Sequence, residues 1–263
     1  MGMVHFKRGR DARKAFLERD ISKSIAVHQI PEEKHTAVGS YIKSAVYGGL
    51  DGIVTTFAVV AGVAGASLDA SIVLILGFAN LIADGISMAV GDYLSTKSER
   101  EYQQSERTRE EWEMRHYPEG ERNEMIDLYQ QKGYEKKDAI TIVDTLLKKP
   151  RAFVDTMMVD ELGILEEKES PVYNALVTFG SFAAFGFIPL FSYVIALLFS
   201  LNADMFPIAI VFTAVTLFVL GALRYFVTGT NWIRAGLEML VVGGLAAFVA
   251  YGIGAVIGAL VGV

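Results

Sequence analysis

Five stretches of the chain are almost purely apolar, at about residues 43–66, 71–94, 173–200, 205–226 and 233–262, and each is long enough to cross a bilayer as a helix, which takes ~20 residues. Residues 172–203 and 239–263 carry no charge. Their apolar positions are not confined to one helical face, as they would be on a surface helix of a soluble protein. The pattern predicts an all-α integral membrane protein with five transmembrane helices. The polar stretches divide it into an N-terminal segment (1–42), a first pair of spans (43–95), a charged helical insert between spans two and three (96–171) and a last group of three spans (172–263).

The polar stretches have periodicity of their own. No proline or glycine occurs from Asp92 to Tyr117, so the second span is predicted to continue out of the membrane as one helix until Pro118-Glu119-Gly120 breaks it. From about Ser71 this gives roughly 70 Å at ~1.5 Å per residue. Further helices are predicted over about 121–132, ending at Gly133; over 138–147, ending before Pro150; and over 151–162, ending at Gly163. Near the start, residues 11–28 place Ala12, Phe16, Leu17, Ile21 and Ile25 on one face, with Arg13, Lys14, Arg19 and Lys23 elsewhere. This reads either as a basic amphipathic helix on the inner membrane surface or as a helix packed on the charged insert.

Charge placement orients the spans. Of the 24 Lys and Arg residues, 9 precede Ala45, 13 lie between Lys97 and Lys168, and the last two are Arg224 and Arg234. The links near 65–71 and 201–205 carry none. The positive-inside rule then places the N-terminus, the 96–171 insert and the 227–232 link in the cytosol, and Val263 on the opposite face. The insert holds 19 acidic and 13 basic residues, so the net charge of −6 resides on it, and an acidic surface concentrates cations. There is no cysteine, which excludes disulfides and thiolate metal sites. The charged forty-residue start is not the pattern of a cleaved secretory signal.

Within this frame Asp51 stands out, a carboxylate inside the first apolar run. A charge there costs ~2.5–3.5 kcal/mol on insertion scales and usually lines an ion or proton path; pairing with Lys43 near the headgroups is the competing account. On the second span Asn80, Asp84, Met88 and Asp92 recur every four residues, which keeps them on nearly one helical face. Such a stripe should face another helix or water. Carboxylates suit hard divalent cations, and a thioether is acceptable to Fe²⁺ and other transition metals; core packing is the plainer role for Met88. In the insert, Glu110 and Glu113 are matched by Glu121 and Glu124 after the Pro-Glu-Gly break. Two Glu-x-x-Glu faces brought together would repel unless a cation compensated them, although acidic helices carry such spacings on solvated faces too. Met157 and Met158 precede Glu161 on the last insert helix and would present thioether and carboxylate together. Gly48 with Gly52, and Gly254, Gly258 and Gly262, form small-residue stripes suited to close helix contacts or a dimer.

Enzyme signatures are lacking. The four histidines (His5, His28, His35, His116) lie outside the spans, and no Gly-x-Ser-x-Gly, P-loop or His-Glu-x-x-His occurs. Glu113 to His116 is one Glu-x-x-His step, whereas di-iron bundles need two.

Several long segments, in order and correctly spaced, resemble the vacuolar iron transporter family: YGGLDGIVTTFAVVAGVAGAS, GFANLIADGISMAVGDYLSTKSERE, MMVDELGI and NWIRAGLEMLVVGGLAAFVAYGIG. The resemblance covers nearly everything from Tyr41 onward. It implies a five-span homodimer in the lipid bilayer and a cytosolic metal-binding domain between spans two and three. It also implies antiport, with protons driving Fe²⁺ out of the cytosol; related members move Mn²⁺, and Zn²⁺ and Co²⁺ are further candidate cargo. Asp51 and Met88 match the family's intramembrane metal contacts on a path between protomers. Glu110, Glu113, Glu121 and Glu124, with Met157, Met158 and Glu161, match its cytosolic site. Where the family carries a glutamate in the second span, this chain has Asn80, which can ligate but cannot carry a proton; Asp84, one turn later, is the candidate substitute. No prosthetic group, catalytic residue or nucleic-acid partner is expected. The alternatives are a membrane-anchored metal store or sensor that does not transport, and a membrane-bound di-iron oxidase.

Overall fold

The computed structural model describes residues 11, 14–28, 38–165, 169–201, 203–223 and 231–263, with backbone only at 28 and 38–40. Expectations that fall on Ala12, Arg13, Arg224 and most of the 227–232 link lie outside the described residues. Two units are distinguished, Met1–Gly39 and Ser40–Val263. The described residues of the larger unit are helices joined by short turns, without a strand.

In the smaller unit the sequence predicts one helix over 11–28, and the structure divides it. Residues 14–17 are helical, Arg19 has φ 53°, and α1 (Ile21–His28) begins anew. The reason is local. Asp20 acts as an N-cap, its carboxylate accepting from the Lys23 amide at 3.0 Å, which satisfies a donor that an unbroken helix would have bonded otherwise. Phe16, Leu17, Ile21 and Ile25 are exposed.

Among the described residues, five helices are long and apolar enough to cross a membrane: α2 (Val38–Gly65), α3 (Ala70–His116), α7 (Pro171–Phe199), α8 (Phe206–Leu223) and α9 (Trp232–Val261). The apolar runs of the sequence thus became the spans. Span α7 is central. Phe182 and Leu190 on it are fully buried. Close approach by small residues explains why: a Cβ at Gly48 or Gly52 of α2 would strike the Thr178 or Phe182 carbonyl, and one at Gly77 of α3 would strike Leu190. The stripe on α9 packs the same way against α2, Gly254 on Gly62 and Gly258 on Ala66, while Gly262 has φ 84° and caps the helix, where an added Cβ would meet nothing within 4 Å. These glycines serve contacts within the chain, since backbones approach closely only where side chains are minimal. Aromatic stacking of Phe206 with Phe57 and Tyr251 joins α8 to α2 and α9.

Two side-chain hydrogen bonds tie α3 to α7 near one end of the spans. Thr178 Oγ1 donates to Asp92, and Asn174 Nδ2 donates to Thr96 Oγ1 at 3.1 Å. Successive rungs at 92–178 and 96–174 fit antiparallel helices. Asp92 of the predicted polar stripe is therefore engaged by α7.

α3 runs unbroken for 47 residues, ~70 Å at 1.5 Å per residue, of which ~30 Å suffices to cross hydrocarbon. Its far half carries α4 (Pro118–Gln131), α5 (Lys136–Leu147) and α6 (Pro150–Asp160). These close around Met125, Ile126, Ala139, Val143, Phe153 and Met157. Ion pairs fasten the rim: Arg107–Asp155 between α3 and α6, Arg122–Asp144 between α4 and α5, and Lys132–Asp160 beside α6. The predicted ends at Gly133 and Gly163 are observed as glycines with φ 98° and 67°, a conformation that favours glycine.

One boundary differs in a way that matters. The sequence reading starts α4 at 121 and treats Pro118-Glu119-Gly120 as a break. In the structure Tyr117 alone is the break (φ −142°, ψ 59°), and Pro118 is the first residue of α4. Proline is well suited there because its missing N–H would have had no partner and its φ is preset.

Candidate metal site

The tight turn at Tyr117 folds α4 back beside the end of α3 and so sets Glu121 against Glu110 and Glu113. One carboxylate oxygen from each of the three lies within 4.8 Å of the others. Glu110 and Glu121 are only 2% and 6% exposed; two carboxylates this close and this dry are costly unless a proton or cation compensates them. Burial, then the negative charges of Glu110, Glu124, Glu113 and Glu161, push the Glu121 carboxyl up to about 7. Burial, with Glu110 and Glu124 next, also raises Glu161. Oxygen donors of this kind suit hard and borderline divalent cations.

The other predicted members of the cluster are placed less uniformly. Glu124 is exposed and acts on Glu121 through its charge. Glu161 is the C-cap of α6 and not a residue within it, its amide donating to the Met157 carbonyl at 3.0 Å. Met157 is fully buried in the apolar core formed by α4, α5 and α6. Met158 lines a cleft of about 820 Å³ with Lys97, Arg100, Arg107 and Arg151. Packing accounts for the position of Met157 without a ligand.

Arg109 and Glu106 escaped the sequence reading. Arg109 lies over the cluster, Nη2 2.8 Å from Glu110 Oε1 and 3.0 Å from Glu106 Oε2, with Nε 3.7 Å from Glu113 Oε2. The signal was the spacing: Glu106, Glu110 and Glu113 stand three before, one after and four after Arg109, and the first and last of these spacings bring charges together on a helix surface.

Within the spans, Asp51, Asn80, Asp84 and Met88 are all half-buried. Asp51 feels the charge of Asp84, and its carbonyl accepts from Thr55 Oγ1 at 2.8 Å. Lys43 is exposed and about 12 Å away along the helix at 1.5 Å per residue, and Asp51 has no ion pair among the described residues. Met88 packs against the apolar cluster that contains Phe182 and Leu81. Asn80 Nδ2 and Thr56 Oγ1 are buried without a hydrogen-bond partner among the described residues, each costing ~1–3 kcal/mol. Thr56 sits on the helix of Asp51, beside Gly186 of α7. Polar atoms left unsatisfied in an apolar bundle are retained at a cost.

Comparison with known proteins gives a consistent result. A family model described as the VIT family matches residues 42–255. The chain is 40% identical to the vacuolar iron transporter of Toxoplasma gondii over 268 residues, covering 95% of this chain and 89% of that protein. It is 38% identical to the vacuolar iron transporter of Plasmodium berghei (90% and 91% covered) and 34% identical to vacuolar iron transporter 1 of Arabidopsis thaliana (83% and 87%).

Proposed function

The chain belongs to the VIT family, and from that premise we propose that it carries Fe²⁺, with Mn²⁺ as the closest alternative cargo, out of the cytosol in exchange for protons. The observation that carries this reading is the convergence of Glu110, Glu113 and Glu121. It sits on the extension of a span whose membrane part bears Asn80, Asp84 and Met88.

The charged helices lie in the cytosol, as the distribution of Lys and Arg requires. Their carboxylates collect the cation, with Glu124 and Glu161 adding to the field that attracts it. Metal then passes to Asp51 and Met88 between the two protomers of a homodimer. Asp51 holds either a cation or a proton at full strength, not both, and this competition couples the two flows. Asp84, which acts on Asp51, is the second acid available for a proton; the amide of Asn80 offers a carbonyl ligand only. Met157 and Met158 supply thioethers if their helix shifts on loading.

Proteoliposomes loaded with a metal-sensitive dye test the reading. Influx of Fe²⁺ or Mn²⁺ above Zn²⁺, accelerated by an opposing pH gradient, is the expected outcome. Saturable metal binding with no flux under any gradient would replace the carrier by the anchored store.

A further inference from the structure

The cation that the structure seats on the carboxylate cluster belongs to the protein. Arg109 bonds Glu110 through both Nη2 (2.8 Å) and Nε (3.3 Å). It also reaches Glu106 at 3.0 Å and Glu113 at 3.7 Å. Its own side chain is 48% exposed, while those of Glu110 and Glu106 are 3% and 19% exposed. The guanidinium thus contacts two of the three convergent acids, Glu110 and Glu113. An arginine keeps its charge at any working pH, so it cannot vacate the cluster by losing a proton. It leaves only by exchange for another cation.

We propose that Arg109 is a tethered counter-ion of the metal site, which holds Glu110 and Glu113 when no metal is bound and retreats onto Glu106 when a divalent cation enters. No covalent bond changes. The ion pairs of Arg109 with Glu110 and Glu113 are replaced by cation–carboxylate contacts, and the pair with Glu106 persists. Glu106 fits this role because it lies under the guanidinium yet outside the group whose oxygens converge within 4.8 Å. The consequence is a set affinity: the site stays compensated when empty, so it releases its cargo instead of trapping it. Arg109 is here a positioning residue, and the inference rests on the carboxylate cluster being a cation site.

The test is Mn²⁺ binding by the full-length protein in detergent, on an Asp51→Asn background so that the cluster alone is read. Arg109→Gln is expected to bind Mn²⁺ about ten-fold tighter, the order of one displaced ion pair at a partly buried site. Structural damage would not tighten binding. Glu106→Gln should bind several-fold more weakly, because the displaced guanidinium loses its second seat. The double variant Arg109→Gln/Glu106→Gln should match Arg109→Gln alone, since Glu106 acts only through the arginine. Unchanged or weaker binding by Arg109→Gln overturns the proposal; so does a double variant weaker than Arg109→Gln, which would make Glu106 a ligand. Arg109→Lys is the fallback if Arg109→Gln does not fold. Its point charge cannot fork between Glu106 and Glu110, so its affinity should fall between the two. If the protein with an intact cluster binds no Mn²⁺, it is the function reading that fails.

Discussion

Glu110 and Glu121 bring carboxylate oxygens within 4.8 Å of each other across a helix reversal at a single residue, Tyr117. Both side chains are buried. The reversal is as short as it is because Pro118 begins α4 directly, and a longer connection would carry Glu121 away from α3. A fold that stabilises itself places like charges apart. This one holds them together, the arrangement that the proposed cation site requires.

Removing one charge should therefore strengthen the empty protein and weaken the site. Glu121→Gln keeps the shape of the side chain and relieves its repulsion with Glu110, Glu113, Glu124 and Glu161. Thermal unfolding without metal is expected to move up by a few degrees, corresponding to roughly 1 kcal/mol, and the further rise on adding Mn²⁺ should vanish. A melting point that falls in the absence of metal would show that Glu121 is a structural acid.

The same residue gives a pH dependence with a definite sign. Its carboxyl titrates at about 7 in the folded protein, against 4.5 ordinarily. Between those values the folded state holds a proton that the unfolded chain has lost. Metal-free stability from this group is thus full below about 4.5 and is lost as pH rises toward 7. Metal binding needs the proton gone, so affinity should climb over the same interval and level off above about 7. Mn²⁺ titrations and melts at several pH values between 5 and 8 check both slopes, and Glu121→Gln should flatten the stability curve.

Much of this was legible in the chain. The spans follow from unbroken apolar runs, and the long α3 follows from the absence of Pro and Gly between Asp92 and Tyr117. The pairing of Glu110 and Glu113 with Glu121 was readable from spacing on either side of a turn. What could not be read was three-dimensional choice. Both Pro118 as a break and Pro118 as the first residue of a helix satisfy the same sequence, and only packing of α4 on α3 selects the second. Met157 was read as a thioether beside Glu161, and the apolar faces of α4 and α5 drew it into the core instead. Arg109 was overlooked because an arginine among acids reads as a solvated surface pair until the burial of Glu110 is known. The break at Asp20 lost to the apolar periodicity around it.

Close packing of the spans makes a further expectation. A Cβ on Gly52 would meet the carbonyl, C and Cα of Phe182. These are backbone atoms and cannot rotate aside, so α2 must move off α7, at ~1–3 kcal/mol as for other overpacked sites. Gly52→Ala should lower the melting temperature in detergent and reduce flux, with Asp51 chemically intact. Gly244→Ala is the control: nothing lies within 4 Å of its added Cβ, and stability should hold or rise slightly.

Asp51 itself makes the cleanest separation between binding and movement. It is half-buried, without an ion pair among the described residues, one residue from the Gly52–Phe182 contact and within reach of the charge on Asp84. Asp51→Asn keeps its volume and hydrogen-bonding edge and removes both the charge and the exchangeable proton. The folded protein should be at least as stable, because a carboxylate leaves an apolar setting. The acid cluster, outside the span, should bind Mn²⁺ as before. Flux into proteoliposomes should fall by about 100-fold or more, since neither a cation nor a proton retains its charged partner there. Asp84→Asn, which leaves Asp51 in place, should reduce flux less and shift its dependence on the pH gradient. Full flux in Asp51→Asn would remove that residue from the path and direct attention to Asp84 and Met88 on the neighbouring span.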